Sequence, residues 1–551
     1  MRSLKKVLGL VGLIMGVAVQ GVSAQPVPVA DPTDLDPMVA PAENYRPLSL
    51  DEAIAVGLQN NLDVQVNRYS PYASELNSEA AWGAYDPVFS GQVGYAGTAI
   101  ERTSQLEAQP ITENSGVIGE AAITAMVPYW GAVLSVAFDS DRSTTNSNIT
   151  AYSPRYESGL EFSANVPLLQ GLIWNEPWTQ VKISRLAYGA SIDDFSTSVM
   201  DTVFSIIGTY WDLVARREKV RVATKSLSTT KALLEQTEVQ YQVGVVSKVE
   251  VVQAEAGVAN SEYELILARN NYRNTQDDLI SAVLGNRLRP ETDLLFNPTD
   301  DPKYSRVQPV DLNEAVTTAF VNRPELASAQ KRIDQREVQL KFAKNQRLPS
   351  LDIDFRYRTL GVTGAKNPAE FVIPGLPGGN PKDVCGPQGL SCGGYGDTFG
   401  EYFDKDHQVA ALAMVSIPLG NIRARKEVSK ANIELRKASS QVTRLRQMII
   451  KDVRASARGL LASAQGVEAA ERRRVAAEEQ LRAETIRLEH GESTPFDVLQ
   501  RQRDLVDAQS QKIDALRAFR ISQAKLQRDE GTILSERNVA IDQVRRLESN
   551  R

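Results

Sequence analysis

Few of the residue types that do chemistry in enzymes occur in this chain. Its 551 residues include two His, His407 and His490, and two Cys, Cys385 and Cys392. So small a set argues against zinc fingers, iron–sulfur clusters and His-based acid–base catalysis. The sequence also lacks a P-loop, a G-x-S-x-G turn, an H-E-x-x-H pair and a dinucleotide-binding glycine motif. We therefore expect a protein that is not an enzyme and that holds no metal and no cofactor.

Charged and apolar side chains alternate at residues 351–358. An alternation of period two places the two sets on opposite faces of a β-strand. The charged face suits a water-filled lumen, with the apolar face against lipid. A soluble sheet with one buried face is the alternative, and residues 160–166 repeat the pattern. The apolar set is Leu351, Ile353, Phe355 and Tyr357, and the charged set is Asp352, Asp354, Arg356 and Arg358.

The first 24 residues have the features of a secretory signal peptide. Positive residues precede an apolar run at 7–19, and small residues lead to Ala24, after which we expect cleavage. A membrane anchor is the alternative, although the run is short for a span of about 20 residues. The Pro-rich residues 25–47 then predict an extended or disordered leader. A net charge of −6 with interspersed signs is not typical of a protein that binds nucleic acid.

The rest of the chain contains one unit twice. An amphipathic helical segment opens each copy, at 48–64 and at 310–326, and the later landmarks recur in the same order. We interpret this as a duplicated unit of about 250 residues. The predicted parts are a first repeat at 48–286, a linker at 287–308, a second repeat at 309–534 and a C-terminal tail at 535–551.

Within each unit, strands precede two long helices. Pro is absent and Gly is rare at 178–240 and 422–489, which predicts helices of roughly 60–70 residues. Near-heptad spacing of Leu445, Ile449 and Val453 predicts a coiled-coil seam in the second. We expect strands at about 85–167 and 349–419, and helical hairpins at about 178–285 and 422–534.

Turn chemistry marks the tips of the two hairpins. Gly244 and Gly491 suit the left-handed position that follows the end of a helix. Ser247-x-x-Glu250 and Thr494-x-x-Asp497 then have the pattern of capping boxes that begin the return helices.

This arrangement resembles the TolC family of outer membrane efflux proteins over about residues 48–534. Two copies of the tip motif, at corresponding places in a duplicated unit behind a signal peptide, carry the resemblance. It implies an α+β fold in which a homotrimer forms a transmembrane β-barrel, with about four strands per chain, continued by a periplasmic α-helical coiled-coil barrel. The longer first strand region includes candidate strands at 119–127 and 132–139, so the strand count stays open.

The resemblance implies an outer membrane channel and exit duct for efflux or type I secretion. Its partners would be a periplasmic adaptor protein, an inner-membrane transporter and the lipid of the outer membrane, with the helical part in the periplasm. A soluble periplasmic coiled-coil adaptor or scaffold is the alternative, and it would need soluble β-domains. The cargo is not specified by the sequence, since drugs, ions and secreted proteins would all fit a polar lumen.

The resemblance also gives the hairpin tips and one return helix a role. In the family the tips dock the adaptor, and acidic side chains on the second return helix narrow the closed end. Asp497 matches the first acidic position and Gln500 stands at the second, while a capping role alone is the alternative for Asp497. The predicted adaptor-docking residues are Gly244, Val245, Val246, Ser247, Gly491, Glu492, Ser493 and Thr494, and plain turn chemistry is their alternative.

The two cysteines lie in a Gly- and Pro-rich segment at 361–400. Cys385 and Cys392 are separated by six residues, and an exported chain meets an oxidising compartment. We expect them to form a disulfide in an extracellular loop.

Overall fold

The computed structural model describes residues 45–101, 107, 109–292, 294–302, 304, 310–368, 391–402 and 406–541. The predicted signal peptide, leader residues 25–44 and tail residues 542–551 lie outside this set.

Each half of the chain runs from short helices through strands to a long helical hairpin. The first half contains β1 (Tyr45–Leu48), α1 (Leu50–Asn60), α2 (Leu62–Ala80), β2 (Val88–Glu101), β3 (Ile111–Met126), β4 (Val133–Thr145), β5 (Tyr152–Pro167), α3 (Glu176–Gln242) and α4 (Lys248–Leu284). The second contains β6 (Leu295–Pro298), α5 (Leu312–Asn322), α6 (Pro324–Asn345), β7 (Ser350–Lys366), β8 (Asp406–Ser416), α7 (Ile422–Glu489), α8 (Pro495–Glu530) and α9 (Ile533–Glu536).

Six strands form one antiparallel sheet in the order β2-β3-β4-β5-β7-β8. The number differs from the four or so strands per chain that the resemblance implied. The additional strands fall in the first half, where β3 and β4 cover the two candidate strands of the longer strand region. The second half contributes β7 and β8, and β5 joins the halves by pairing with β7.

The two faces of this sheet differ in chemistry. Residues paired directly across antiparallel strands point to the same face, so the register sorts the side chains. Glu161 and Arg358 pair on one face of the sheet, which we call the polar face. Phe162 and Tyr357 pair on the other face, as the alternation predicts. We call the face of Phe162 and Tyr357 the apolar face. A ladder of apolar residues crosses it through all six strands: Phe89, Ile123, Val136, Phe162, Tyr357 and Val409.

The long helices pack in pairs, α3 with α4 and α7 with α8. Helix α3 has 67 residues and α7 has 68, so each is about 100 Å long. Ile449 and Val453 of the predicted seam are fully buried against Ala315 and Ala319 of α5, and Leu445 packs at the edge of the same cluster. Among the described residues, no helix has the length and apolar content needed to cross a lipid bilayer.

A contact between the leader and the linker completes the core. β1 at the end of the leader pairs in parallel with β6 in the linker. Beside them, the Tyr210 hydroxyl lies 2.7 Å from Oδ2 of Asp300 and 3.0 Å from the carbonyl oxygen of Leu48. The same Asp300 oxygen accepts the N–H of Leu50 at 2.8 Å and so caps α1. Burial raises the pKa of Tyr210, which keeps its hydroxyl protonated as a donor to the linker.

Candidate functional site

The first hairpin tip is a tight turn built on a left-handed glycine. Gly244 has a φ of 78°. Its N–H donates to the carbonyl of Tyr241 at 2.9 Å, and the N–H of Val245 donates to the carbonyl of Gln240 at 2.8 Å. The N–H of Ser247 then donates to the Glu250 carboxylate at 2.8 Å, which starts α4. These bonds satisfy backbone groups that a helix end leaves unpaired.

The second tip repeats this geometry. Gly491 has a φ of 73°, and its N–H donates to the carbonyl of Leu488 at 3.0 Å. The N–H of Glu492 donates to the carbonyl of Arg487 at 2.8 Å, the same pattern as at Val245. The Ser493 hydroxyl donates to the carboxylate of Glu484. The duplicated motif in the sequence therefore encodes two tips of the same backbone shape.

The two tips differ in the side chains that they present. Val243 and Val245 are 70% and 72% exposed at the first tip, where they form an apolar knob. The corresponding positions of the second tip are His490 and Glu492, both exposed and polar. A partner that contacted both tips would therefore meet one apolar and one polar turn.

Asp497 has a local role that the structure describes directly. One carboxylate oxygen accepts the Thr494 hydroxyl at 2.7 Å and the Thr494 N–H at 3.4 Å. The Thr494 oxygen in turn lies 3.3 Å from the N–H of Asp497, which completes the capping box of α8. The hydroxyl bond from Thr494 lowers the pKa of Asp497, and the positive charges of Arg487 and Arg501 add to the effect. The Asp497 carboxylate is exposed.

Gln500 lies one turn further along α8 and is also exposed. Its amide donates to Asp504 at 3.4 Å, and Arg501 donates to the other oxygen of Asp504 at 2.9 Å. Asp504 was missed in the sequence, although its heptad spacing from Asp497 puts both acids on one side of α8. Arg501 therefore pairs with Asp504, and its positive charge also acts on Asp497.

The polar face of the sheet carries a network of charges. Arg358 of β7 reaches Asp139 of β4 at 2.5 Å and Glu157 of β5 at 3.9 Å. Gly159 lies between these partners, and a Cβ there would come within 2.8 Å of the Asp139 carboxylate. Sequence reasoning predicted the charged face but not this three-strand contact, because it depends on the register of β4, β5 and β7.

The connection between β7 and β8 returns to the apolar face. Phe399 stacks on Phe138 with ring centroids 6.0 Å apart, and the backbone of Thr398 lies against Gly361, where a Cβ would meet its carbonyl oxygen. Cys392 in this connection is disulfide-bonded. Cys385 lies outside the described residues, so its pairing with Cys392 stays a prediction. No group of three or more His, Cys, Asp or Glu in the described part of the chain could hold a metal ion.

A family model described as outer membrane efflux protein matches residues 133–285 and 315–531. The chain belongs to the outer membrane efflux protein family. This confirms the predicted family and its α+β fold of duplicated strand–helix units. It also places the protein in the outer membrane with its helical part in the periplasm.

Individual relatives share little sequence identity with this chain. The pyoverdine export outer membrane protein OpmQ of Pseudomonas putida is 24% identical over 200 residues, which cover 35% of this chain and 39% of that protein. The outer-membrane channel OprN has a similar fold, with a TM-score of 0.61, 13% identity, and coverage of 88% of this chain and 90% of that one. The CmeC outer membrane channel of Campylobacter jejuni gives a TM-score of 0.59, 14% identity and coverage of 91% and 90%.

Proposed function

We propose that the protein is a homotrimeric exit duct that carries cargo from the periplasm across the outer membrane. The observation that carries the proposal is the two-faced sheet joined directly to helices about 100 Å long. Its apolar ladder exposes Phe89 at 71% and Val409 at 62%, an amount of exposed apolar surface that lipid would cover. The opposite face then supplies a charged lumen, and the helices extend it into the periplasm.

The duct works with two partners in this proposal, a periplasmic adaptor and an inner-membrane transporter. The hairpin tips are the adaptor contacts, since they are the exposed ends of the long helices furthest from the sheet. The apolar knob of Val243 and Val245 supplies a desolvated anchor, and the polar tip with Glu492 and Ser493 supplies hydrogen bonds. Drugs, ions or secreted proteins are the cargo classes that a wide polar duct admits.

Asp497 and Gln500 form the constriction at the tip end. In a trimer, three exposed carboxylates of Asp497 around one axis would repel each other and attract cations. Gln500 gives the next turn no charge, so the constriction has a single acidic ring.

A change on the polar face tests whether it lines the lumen. Arg358→Gln leaves Asp139 and Glu157 without their shared cation, so the channel should become more cation-selective. The measurement is the reversal potential of the purified trimer in a planar bilayer under a salt gradient. Tyr357→Phe is the matched control, because it alters the neighbouring residue on the opposite face. An unchanged reversal potential in Arg358→Gln would place this face outside the conduction path.

Adaptor docking has its own test at the first tip. Val245→Asp places a charge in the apolar knob and should abolish export of a fluorescent dye such as ethidium, while the protein stays in the outer membrane as a trimer. Val321→Asp is the control, since Val321 is 78% exposed on α5, away from the tip. Full dye export by Val245→Asp would contradict the assignment of the tip.

A further inference from the structure

The two edges of the six-stranded sheet are open in a single chain. β2 has 14 residues and β8 has 11, and neither contains Pro, Lys or Arg. Soluble sheets normally protect edges of this length with such residues, because a bare edge pairs with other chains. Unpaired backbone groups at an edge are not tolerated in lipid. Both edges therefore need a strand from another molecule.

The directions of the strands allow the edges to pair with each other. Neighbours in the sheet are antiparallel throughout, and the number of strands is even, so β8 runs opposite to β2. The edge β8 of one copy can then join the edge β2 of the next by ordinary antiparallel pairing. The apolar ladder starts at Phe89 on β2 and ends at Val409 on β8, so the same face continues across such a seam.

We propose that β8 pairs with β2 of the adjacent copy and that three copies close an 18-stranded wall. The inference rests on the proposed trimeric duct and specifies its walls. The competing arrangement leaves the β2–β3 hairpin aside and joins β8 to β4, which closes 12 strands. The family match begins at residue 133, the first residue of β4, so β2 and β3 are outside what the family model describes.

The β2–β3 hairpin is built as part of the wall. β3 pairs with β4 without interruption from Asn114 and Thr145 to Met126 and Val133. Side-chain hydrogen bonds support this pairing on the polar face, with Thr124 and Ser135 hydroxyls 3.1 Å apart. The polar face also extends to the edge strand β2, where the Gln92 amide donates to the Glu120 carboxylate of β3 at 2.6 Å.

The helix-side end of the hairpin is also anchored. In the turn between β3 and β4, Tyr129 packs on Trp178 of α3 with ring centroids 4.3 Å apart. Gly131 lies so close to the connection before α3 that a Cβ would come within 2.6 Å of the Gly171 carbonyl oxygen. Trp82, just after α2, meets the same Trp178 at 5.8 Å. The helix-side end of the hairpin is thus fixed to α3, the helix that follows β5.

The circumference of an 18-stranded wall can be compared with that of the helical part. Tilted strands about 4.8 Å apart each occupy about 6 Å of a wall, so 18 strands span ~110 Å and 12 span ~75 Å. In the part of the helical region next to the sheet, neighbouring helices follow one another in the order α2, α3, α6 and α7. Three copies would supply 12 such helices, which at about 8–10 Å apart span ~100–120 Å. An 18-stranded wall is therefore compatible with the circumference of the helical part.

Cysteine cross-linking in the outer membrane separates the two arrangements. Ala413→Cys on β8 is combined in the full-length protein with Gly91→Cys, Val93→Cys or Tyr95→Cys on β2, all on the apolar face. A matched series combines Ala413→Cys with Leu134→Cys, Val136→Cys or Phe138→Cys on β4. The unaltered chain, which holds only its own two cysteines, gives the background after oxidation with copper phenanthroline. Native mass spectrometry records the oligomer before oxidation.

The 18-stranded wall predicts that at least one β2 pair converts most of the monomer band to covalent trimer, because each copy would be linked at both edges. The β4 series should stay at background. Covalent trimer from the β4 series, or an intact trimer that links in neither series, would overturn the proposed seam and leave the trimeric duct standing. Absence of a trimer before oxidation would instead contradict the proposed function itself.

Discussion

At the scale of single residues, the two tips show how a sequence motif defines a backbone shape. Gly244 and Gly491 adopt positive φ, and a Cβ on either would meet no atom within 4 Å. The requirement for glycine therefore comes from the backbone conformation and not from crowding. This part of the candidate site could be predicted from the sequence, because the turn is local and each signal lies within seven residues.

Gly491→Ala tests that distinction. The substitution should lower stability by about 1 kcal/mol, because an L-residue is strained in the left-handed region. Gly459→Ala is the matched control: Gly459 lies inside α7, is exposed and also has open space around its Cα, so the change should raise stability by up to about 1 kcal/mol. Thermal unfolding of the two variants in detergent should give shifts of opposite sign. A stabilising Gly491→Ala would remove the conformational explanation.

Asp497→Ala tests the acidic constriction at the same scale. It removes both the charge and the acid of the capping box, whereas Thr494→Ala disrupts the capping box and keeps the carboxylate. Only Asp497→Ala should therefore raise open probability and weaken block by divalent cations in planar bilayers. If the two variants behave alike, Asp497 acts as a helix cap alone.

At the scale of elements, the seam between α7 and α8 includes a charge link with a defined pH dependence. Glu471 of α7 contacts Arg474 at 3.0 Å and Lys512 of α8 at 2.7 Å. The hydrogen bond from Arg474, together with Lys512, lowers the pKa of Glu471 from 4.5 to about 2. Because the folded-state pKa is the lower one, the link stabilises the protein above about pH 4.5, and this contribution is lost as the pH falls toward 2.

Glu471→Gln should therefore be less stable than the unaltered protein at neutral pH, and the difference should shrink between pH 4.5 and 2. We expect less than about 1 kcal/mol, since the carboxylate is partly exposed and screened by solvent. Unfolding midpoints across a pH series at low salt measure it. Glu479→Gln is the control, because Glu479 is exposed and pairs with Arg482 within α7. A difference that persists unchanged at pH 2 would rule out the link.

Contacts between residues far apart in the chain limit how much of the fold the sequence reveals. The charge alternation at β7 and the Pro-free runs of α3 and α7 are local signals, and they predicted these elements well. β2 and β3 were harder, because Gly91, Gly94 and Gly97 interrupt the alternation of apolar residues. The Tyr210–Asp300 contact joins residues 90 positions apart, and no periodicity encodes such a pair. The same holds for Arg358 with Asp139.

At the scale of the whole molecule, the duplication explains the assembly. Each repeat supplies strands and one helical hairpin, and β5 with β7 fuses the two sets of strands into one sheet. The copies are unequal, since the first supplies four strands of the sheet and the second two. The helices keep the symmetry that the strands lose, and in the proposed trimer the sheet is closed by other copies of the chain.

The central claim, a trimeric duct in the outer membrane, is tested most directly by separating inner membrane, outer membrane and periplasm and measuring the extracted protein by native mass spectrometry. The account predicts a trimer in the outer membrane fraction. A soluble monomer or dimer in the periplasm would contradict it, because the apolar face of the sheet would then not be covered by lipid.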